Sequence, residues 1–258
     1  MNDIFVYPLQ NSKEYKDIIN CINNKGSLLI NGLLAVQKPH IAYSMYRDLN
    51  RQTIFITNSD LEAKKVYDDL SFYMKDKVEY IGFQDILFYH LDAKDRSEEA
   101  KRLKVLLKLA KGENIILVTS IEAVMRKYIP KEILLENIYT YKIGDVINLE
   151  KLSETLVNLG YERVSKIEGF GQFSIRGGIV DIFSLEYNNP IRMELFDDEI
   201  DSIRTFEVFS QMSIDKIKKF SISPSREFIY PDKLDKIVKN LKKEINEINL
   251  MEIKSLGE

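Results

Sequence analysis

Gly32 and Lys38 stand at the first and seventh positions of G-x-x-x-x-G-K-[ST], the loop that wraps backbone N–H groups around a nucleotide's phosphates. The other two positions are wrong for that chemistry. Gln37 replaces the second glycine, and its side chain crowds the backbone where a phosphate must approach. Pro39 replaces the Ser/Thr that would hold Mg²⁺, and it brings neither a hydroxyl nor an N–H. A phosphate cradle is built from backbone donors, so Gly32, Gln37, Lys38 and Pro39 are read as a degenerate phosphate loop in an ordinary turn.

The remaining reactive side chains are sparse. Asp197, Asp198, Glu199 and Asp201 are the types that bind Mg²⁺ or move protons. They lie between two strand-like segments without partner ligands, and read better as a solvated turn. His40 and His90 are the only histidines and Cys21 the only cysteine. That excludes a disulfide within the chain, a cysteine zinc site and a histidine-rich metal site, and it disfavours a Ser-His-Asp triad. No catalytic residue and no metal site are expected.

The elements that would carry these residues follow from periodicity. Ser27–Asn31, Thr53–Thr57, Val78–Ile81 and Ile115–Thr119 are short apolar runs that read as strands. Between them lie amphipathic stretches: 38–49, a helix opened by Ser59 and Glu62 as a capping box, and one lined by Leu103, Leu106, Leu107 and Ala110 that stops at Gly112. A second capping box is expected at Thr119–Glu122. Strands alternating with helices imply a parallel sheet covered on both faces, placed at residues 1–135. From 136 to 208, Asn148 caps one helix that ends at Gly160, and closely spaced strands follow, broken at Gly169, Gly171, Gly177-Gly178 and Asn188–Pro190. This predicts a small α+β domain with an antiparallel sheet. Gly177-Gly178 fits either a two-residue hairpin or a bulge. A third segment, 209–258, would hold a strand at 216–221 and a helix at 231–250, the start of something longer.

Composition narrows the function classes. The 258 residues carry 37 basic and 40 acidic side chains, a formal charge of −3, which excludes a globally basic nucleic-acid binder. No apolar run approaches the ~20 residues of a membrane span, and Met1–Pro8 lacks a signal-peptide pattern. A cytoplasmic protein without membrane contact is expected.

One stretch is far more specific. Gly171-Gln-Phe-Ser-Ile-Arg-Gly-Gly-Ile-Val-Asp-Ile-Phe183, followed by Arg192-Met-Glu-Leu-Phe-Asp-Asp-Glu-Ile-Asp-Ser-Ile-Arg-Thr-Phe206, resembles the UvrB-like module of the bacterial transcription-repair coupling factors. Gly82–Asp85, Phe88-Tyr89, Arg102-Leu103 and Val118–Ala123 agree with it. The resemblance implies domain 1A of that module, then its domain 2 and the beginning of domain 1B, with a nucleotide site that has decayed. It implies docking of UvrA, the damage-recognition ATPase of nucleotide excision repair. RNA polymerase and DNA, and the ATP and Mg²⁺ of the family's motor, belong to regions beyond this chain, so no cofactor is expected here. The aromatic hairpin that UvrB threads into DNA is missing. A UvrB-type ATPase or helicase fragment and a DNA-binding scaffold are the competing readings.

The residues aligned to the family's UvrA contacts are Arg176, Arg192 and Glu194, with Arg163 a weaker candidate. Alternation puts Ile191, Met193 and Leu195 on one face and Arg192 and Glu194 on the other, and likewise separates Phe173 and Ile175 from Ser174 and Arg176. Arginine suits such a face because its planar fork matches a carboxylate. On pattern alone Arg192 and Glu194 read as a solvated pair; the resemblance favours an interface. Ser174 stands where UvrB often has a basic residue. Asp181 is read only as a hydrogen-bond acceptor within the sheet.

Overall fold

A computed structural model describes residues 4–83 and 93–227. The chain divides into two compact units, 1–136 and 137–258. The expected helix at 231–250 and the aromatics Phe88 and Tyr89 fall outside the described residues.

In the first unit, helices α1 (Tyr7–Gln10), α2 (Lys13–Asn23) and α3 (Gln37–Leu49) precede strand β1 (Thr53–Thr57). Then come α4 (Asp60–Tyr73), β2 (Val78–Ile81), α5 (Ala93–Ala110), β3 (Ile116–Ser120), α6 (Ile121–Val124) and α7 (Lys131–Glu136). The three strands form a parallel sheet in the order β1-β3-β2. Every residue of the central strand β3 is buried, as its unbroken apolar run predicts. Tyr43, Tyr46, Val66 and Leu70 of α3 and α4 pack with Ile116 and Val118 on one face. Val105 of α5 packs with Ile81 and Leu117 on the other.

Local signals explain the helix ends. The Ser59 hydroxyl accepts the Glu62 N–H at 3.3 Å, and Gly112 ends α5 in the left-handed region at φ 73°. The second cap differs from expectation by one residue: Ser120, not Thr119, accepts the N–H of Ala123, while the Thr119 hydroxyl donates to the Ile81 carbonyl across the sheet. The expected strand at Ser27–Asn31 does not form. Leu28, Leu29 and Ile30 are exposed and lie in no sheet, because an apolar run becomes a strand only where a neighbouring edge accepts its N–H and C=O groups.

The second unit is mainly antiparallel. After β4 (Tyr139–Lys142) and α8 (Leu149–Asn158) come β5 (Glu162–Arg163), β6 (Gln172–Arg176), β7 (Ile179–Ile182), β8 (Ile191–Phe196), β9 (Glu199–Phe206), β10 (Ser213–Lys216) and β11 (Lys219–Ile222). Strands β5 to β10 form one six-stranded sheet in sequence order, with only the β5–β6 pair parallel. Asn148 caps α8 by accepting the Lys151 N–H, and Gly160 follows its end at φ 87°. Leu152 and Leu156 of α8 press on Phe173, Val180, Ile182, Ile191 and Met193. This face of the sheet is the main core.

One strand differs from the sequence reading. Lys216 to Ser221 is not one strand: β10 ends at Lys216 as the outer strand of the large sheet, and β11 starts at Lys219 as the partner of β4. Residues 213–222 thereby pair with strands of the second unit. Gly177-Gly178 is a two-residue hairpin, because Arg176 pairs directly with Ile179. Gly177 takes φ 58°, and a Cβ on Gly178 would sit 3.0 Å from the Leu195 carbonyl oxygen.

Candidate functional site

The sheet face turned away from α8 carries the charged residues. Strand alternation sends Val180 and Ile182 into the core and Asp181 to the other side, where its cross-strand partners are Ser174 and Arg192. Asp181 is 1% exposed. A carboxylate that deep is costly unless paired, and it is paired with two cations. Arg192 donates from Nε to Oδ1 at 2.7 Å and from Nη2 to Oδ2 at 2.9 Å. Arg176 donates from Nη2 to Oδ2 at 2.8 Å.

The two arginines are held differently. The Arg192 side chain is only 16% exposed. Its guanidinium lies 4.4 Å over the Phe206 ring, and its Nη2 also donates to Gln211 Oε1 at 3.1 Å. The hydrogen bonds to Asp181 raise its pKa. The Arg176 side chain is 51% exposed and makes a single hydrogen bond among the described residues.

Next to this cluster, Glu194 forms an ion pair with Arg204 and accepts the Ser202 hydroxyl at 2.9 Å. The Arg204 guanidinium, then Ser202, hold its carboxyl below the ordinary glutamate range against a desolvation cost that pushes the other way. Arg176, Arg192 and Glu194 are thus brought together on one face. Arg163 is not. It pairs with Phe173, whose side chain is in the core, and with Glu150, Ser153 and Glu154 of α8 it borders a groove of about 330 Å³. Ser174 is buried and donates to the Ser165 carbonyl.

Two contributors were missed in the sequence. Asp181 was read as an acceptor, but not as the residue that joins both arginines; the signal was a lone acid in an apolar strand flanked by strands that each carry an arginine. Phe196, at the end of the strand carrying Arg192 and Glu194, is 76% exposed. Phe209 and Met212 are also exposed, on a turn whose Gln211 touches Arg192. The Glu207 carboxylate accepts the Phe209 and Ser210 N–H groups in that turn; the Ser210 side chain first, then the Ser210 and Phe209 N–H groups, hold its pKa below the ordinary glutamate value.

The acidic run is a turn at Asp197-Asp198 that leads into β9, which carries Glu199 and Asp201. Asp197 and Asp198 link β8 to β9, all four acids are exposed, and among the described residues no group of acidic, histidine or cysteine side chains is placed to hold a metal. In the loop at 32–39, the Leu34 N–H donates to Gln37 Oε1 at 2.9 Å, the Gln37 N–H to the Leu34 carbonyl, and the Lys38 N–H to the Ala35 carbonyl. The glutamine that replaces glycine therefore occupies a loop donor with its own side chain. Pro39 is buried in the first turn of α3.

Residues 140–228 match the UvrB interaction domain, and that span contains every member of the Arg176–Asp181–Arg192 and Glu194–Arg204 clusters. The chain as a whole is similar to transcription-repair-coupling factors. The Bacillus subtilis (strain 168) protein is 33% identical over 224 residues, 86% of this chain and 19% of the relative. The Staphylococcus aureus (strain Mu50 / ATCC 700699) protein is 30% identical over 238 residues, 92% of this chain and 20% of the relative. The chain spans about a fifth of the length of these curated relatives. No described helix is long and apolar enough to cross a membrane.

Proposed function

We propose that this chain is the N-terminal, UvrB-like region of a transcription-repair coupling factor and that it works as a docking module which recruits UvrA, without nucleotide chemistry of its own. The match of residues 140–228 to the UvrB interaction domain, on a sheet face of arginines and carboxylates, carries this reading. Arg176 is the principal contact, with Arg192 and Glu194 beside it. Arg163, on the α8 side, is a peripheral contact at most. The loop at 32–39 supports the absence of nucleotide chemistry, since the amides of Leu34, Gln37 and Lys38 already have acceptors within the chain. Contacts with RNA polymerase and DNA are assigned to parts of the longer relatives that lie outside this match. The protein is placed in the cytoplasm, where those partners are.

Calorimetric titration with UvrA tests the proposal. Saturable binding by the wild type that weakens at least tenfold in Arg176→Ala is expected, as for a central interface arginine whose truncation costs about 2 kcal/mol. Absence of wild-type binding contradicts it. Millimolar ATP with Mg²⁺ is expected to leave the melting temperature unchanged; a rise would mean a nucleotide seated in the folded chain.

A further inference from the structure

We propose that Asp181 is the positioning residue of the docking face, clamping Arg176 so that its free guanidinium edge is set to receive a carboxylate of the partner. This rests on the docking reading above and goes beyond it by dividing the labour between the two arginines.

The division follows from how the donors are used. Arg192 turns its Nε and Nη2 edge onto both oxygens of Asp181, stacks on Phe206 and reaches Gln211. It balances the charge of a carboxylate that is 1% exposed, and it lies largely beneath the surface. Arg176 gives Asp181 one hydrogen bond, from Nη2, and half of its side chain stays in solvent. Among the described residues its Nε and Nη1 make no hydrogen bond and Nη2 makes one, so the second N–H of Nη2 with one neighbouring donor, Nη1 or Nε, leaves a forked edge for a partner. Two arginines on one aspartate leave a net charge of +1, which selects an acidic contact.

An unrestrained arginine loses rotamer freedom when it docks, and a clamped one has already lost it. Fixing one long side chain in advance is worth roughly three- to tenfold in affinity. The gain should appear in the dissociation rate, because the planar fork must stay aligned for both of its bonds to persist.

Asp181→Asn keeps the shape and removes the charge. It also makes the face one unit more positive, so the association rate with an acidic partner should hold or rise at low salt. The test measures association and dissociation rates for UvrA on the wild type, Asp181→Asn, Arg176→Ala and the double variant. Dissociation three- to tenfold faster in Asp181→Asn, without slower association, is expected. In the Arg176→Ala background the same substitution should change dissociation by less than about twofold, since its effect runs through Arg176. If Asp181→Asn does not fold, Asp181→Glu retains the charge, displaces the carboxylate by one methylene and should show the same faster dissociation.

Unchanged dissociation in Asp181→Asn, or an equal increase in the absence of Arg176, overturns the proposal. Nitrogen NMR of the guanidinium groups decides the clamp without UvrA. Slow rotation of the Arg176 guanidinium in the wild type, lost in Asp181→Asn, is expected; equal mobility in both overturns the clamp. If the wild type binds no UvrA while Arg176 is held rigid, the docking reading fails and the clamp stands as a feature of the fold alone.

Discussion

Arg192→Ala should loosen the second unit far more than Arg176→Ala, although both arginines bind the same aspartate. Removing one partner of a buried ion pair costs about 3–5 kcal/mol, because the other charge is left in a poor solvent. Here Asp181 keeps its bond to Arg176, and Arg192 is 16% exposed, so the cost falls just below that range, at about 2–3 kcal/mol. Loss of the guanidinium over Phe206 adds about 0.5–1 kcal/mol. The total is about 3 kcal/mol, or about a hundredfold in the opening equilibrium. Arg176 is half in solvent, and its ion pair contributes about 0–1 kcal/mol. Hydrogen exchange of peptides spanning Ile179–Phe196 reads this locally, which matters in a chain of two units whose melting need not be one transition. Exchange about a hundredfold faster in Arg192→Ala, and less than about fivefold faster in Arg176→Ala, is expected. Equal rates in the two variants would refute the reasoning that the burial and closer pairing of Arg192 separate it from Arg176.

Gly177→Ala should cost about 1–2 kcal/mol in a denaturant titration, since φ 58° puts a Cβ against the following carbonyl, while Gly177→Asn should cost less. Glu194 titrates below the ordinary glutamate value when folded, so its pairing with Arg204 stabilises the fold above an unfolded pKa of about 4.3. That contribution is lost as pH falls through the lower folded value. A plot of stability against pH for Glu194→Gln should therefore be flatter than that of the wild type below about pH 4.5, and coincident slopes would contradict the assignment.

How much of this was legible depends on whether a signal was local. The β1, β2 and β3 runs, the Ser59 and Asn148 caps and the Gly112 and Gly160 stops each reside within a few residues, and they formed as read. Alternation likewise separated Arg176 from Phe173 and Ile175 in β6, and Arg192 and Glu194 from the apolar side chains of β8; the register through β7 puts all three on one face. The failures are non-local. Leu28 to Ile30 have strand composition but no edge to pair with. Lys216 to Ser221 looked like one strand because nothing in the run tells that its halves join different sheets. The role of Asp181 depended on the register of three strands, which puts Ser174, Asp181 and Arg192 in one row. The separation of Arg163 from the others depended on its pairing with Phe173.

Hydroxyl-radical footprinting of the chain with and without UvrA tests the central claim most directly. Phe196 and Met212 flank the charged face, while Leu34 and Val36 lie in the loop at 32–39 and Leu29 just before it; all five are exposed and reactive. Saturating UvrA should shield Phe196 and Met212 and leave the other three unchanged. Shielding at the loop with Phe196 and Met212 still oxidised would contradict a docking module built on the second unit's sheet.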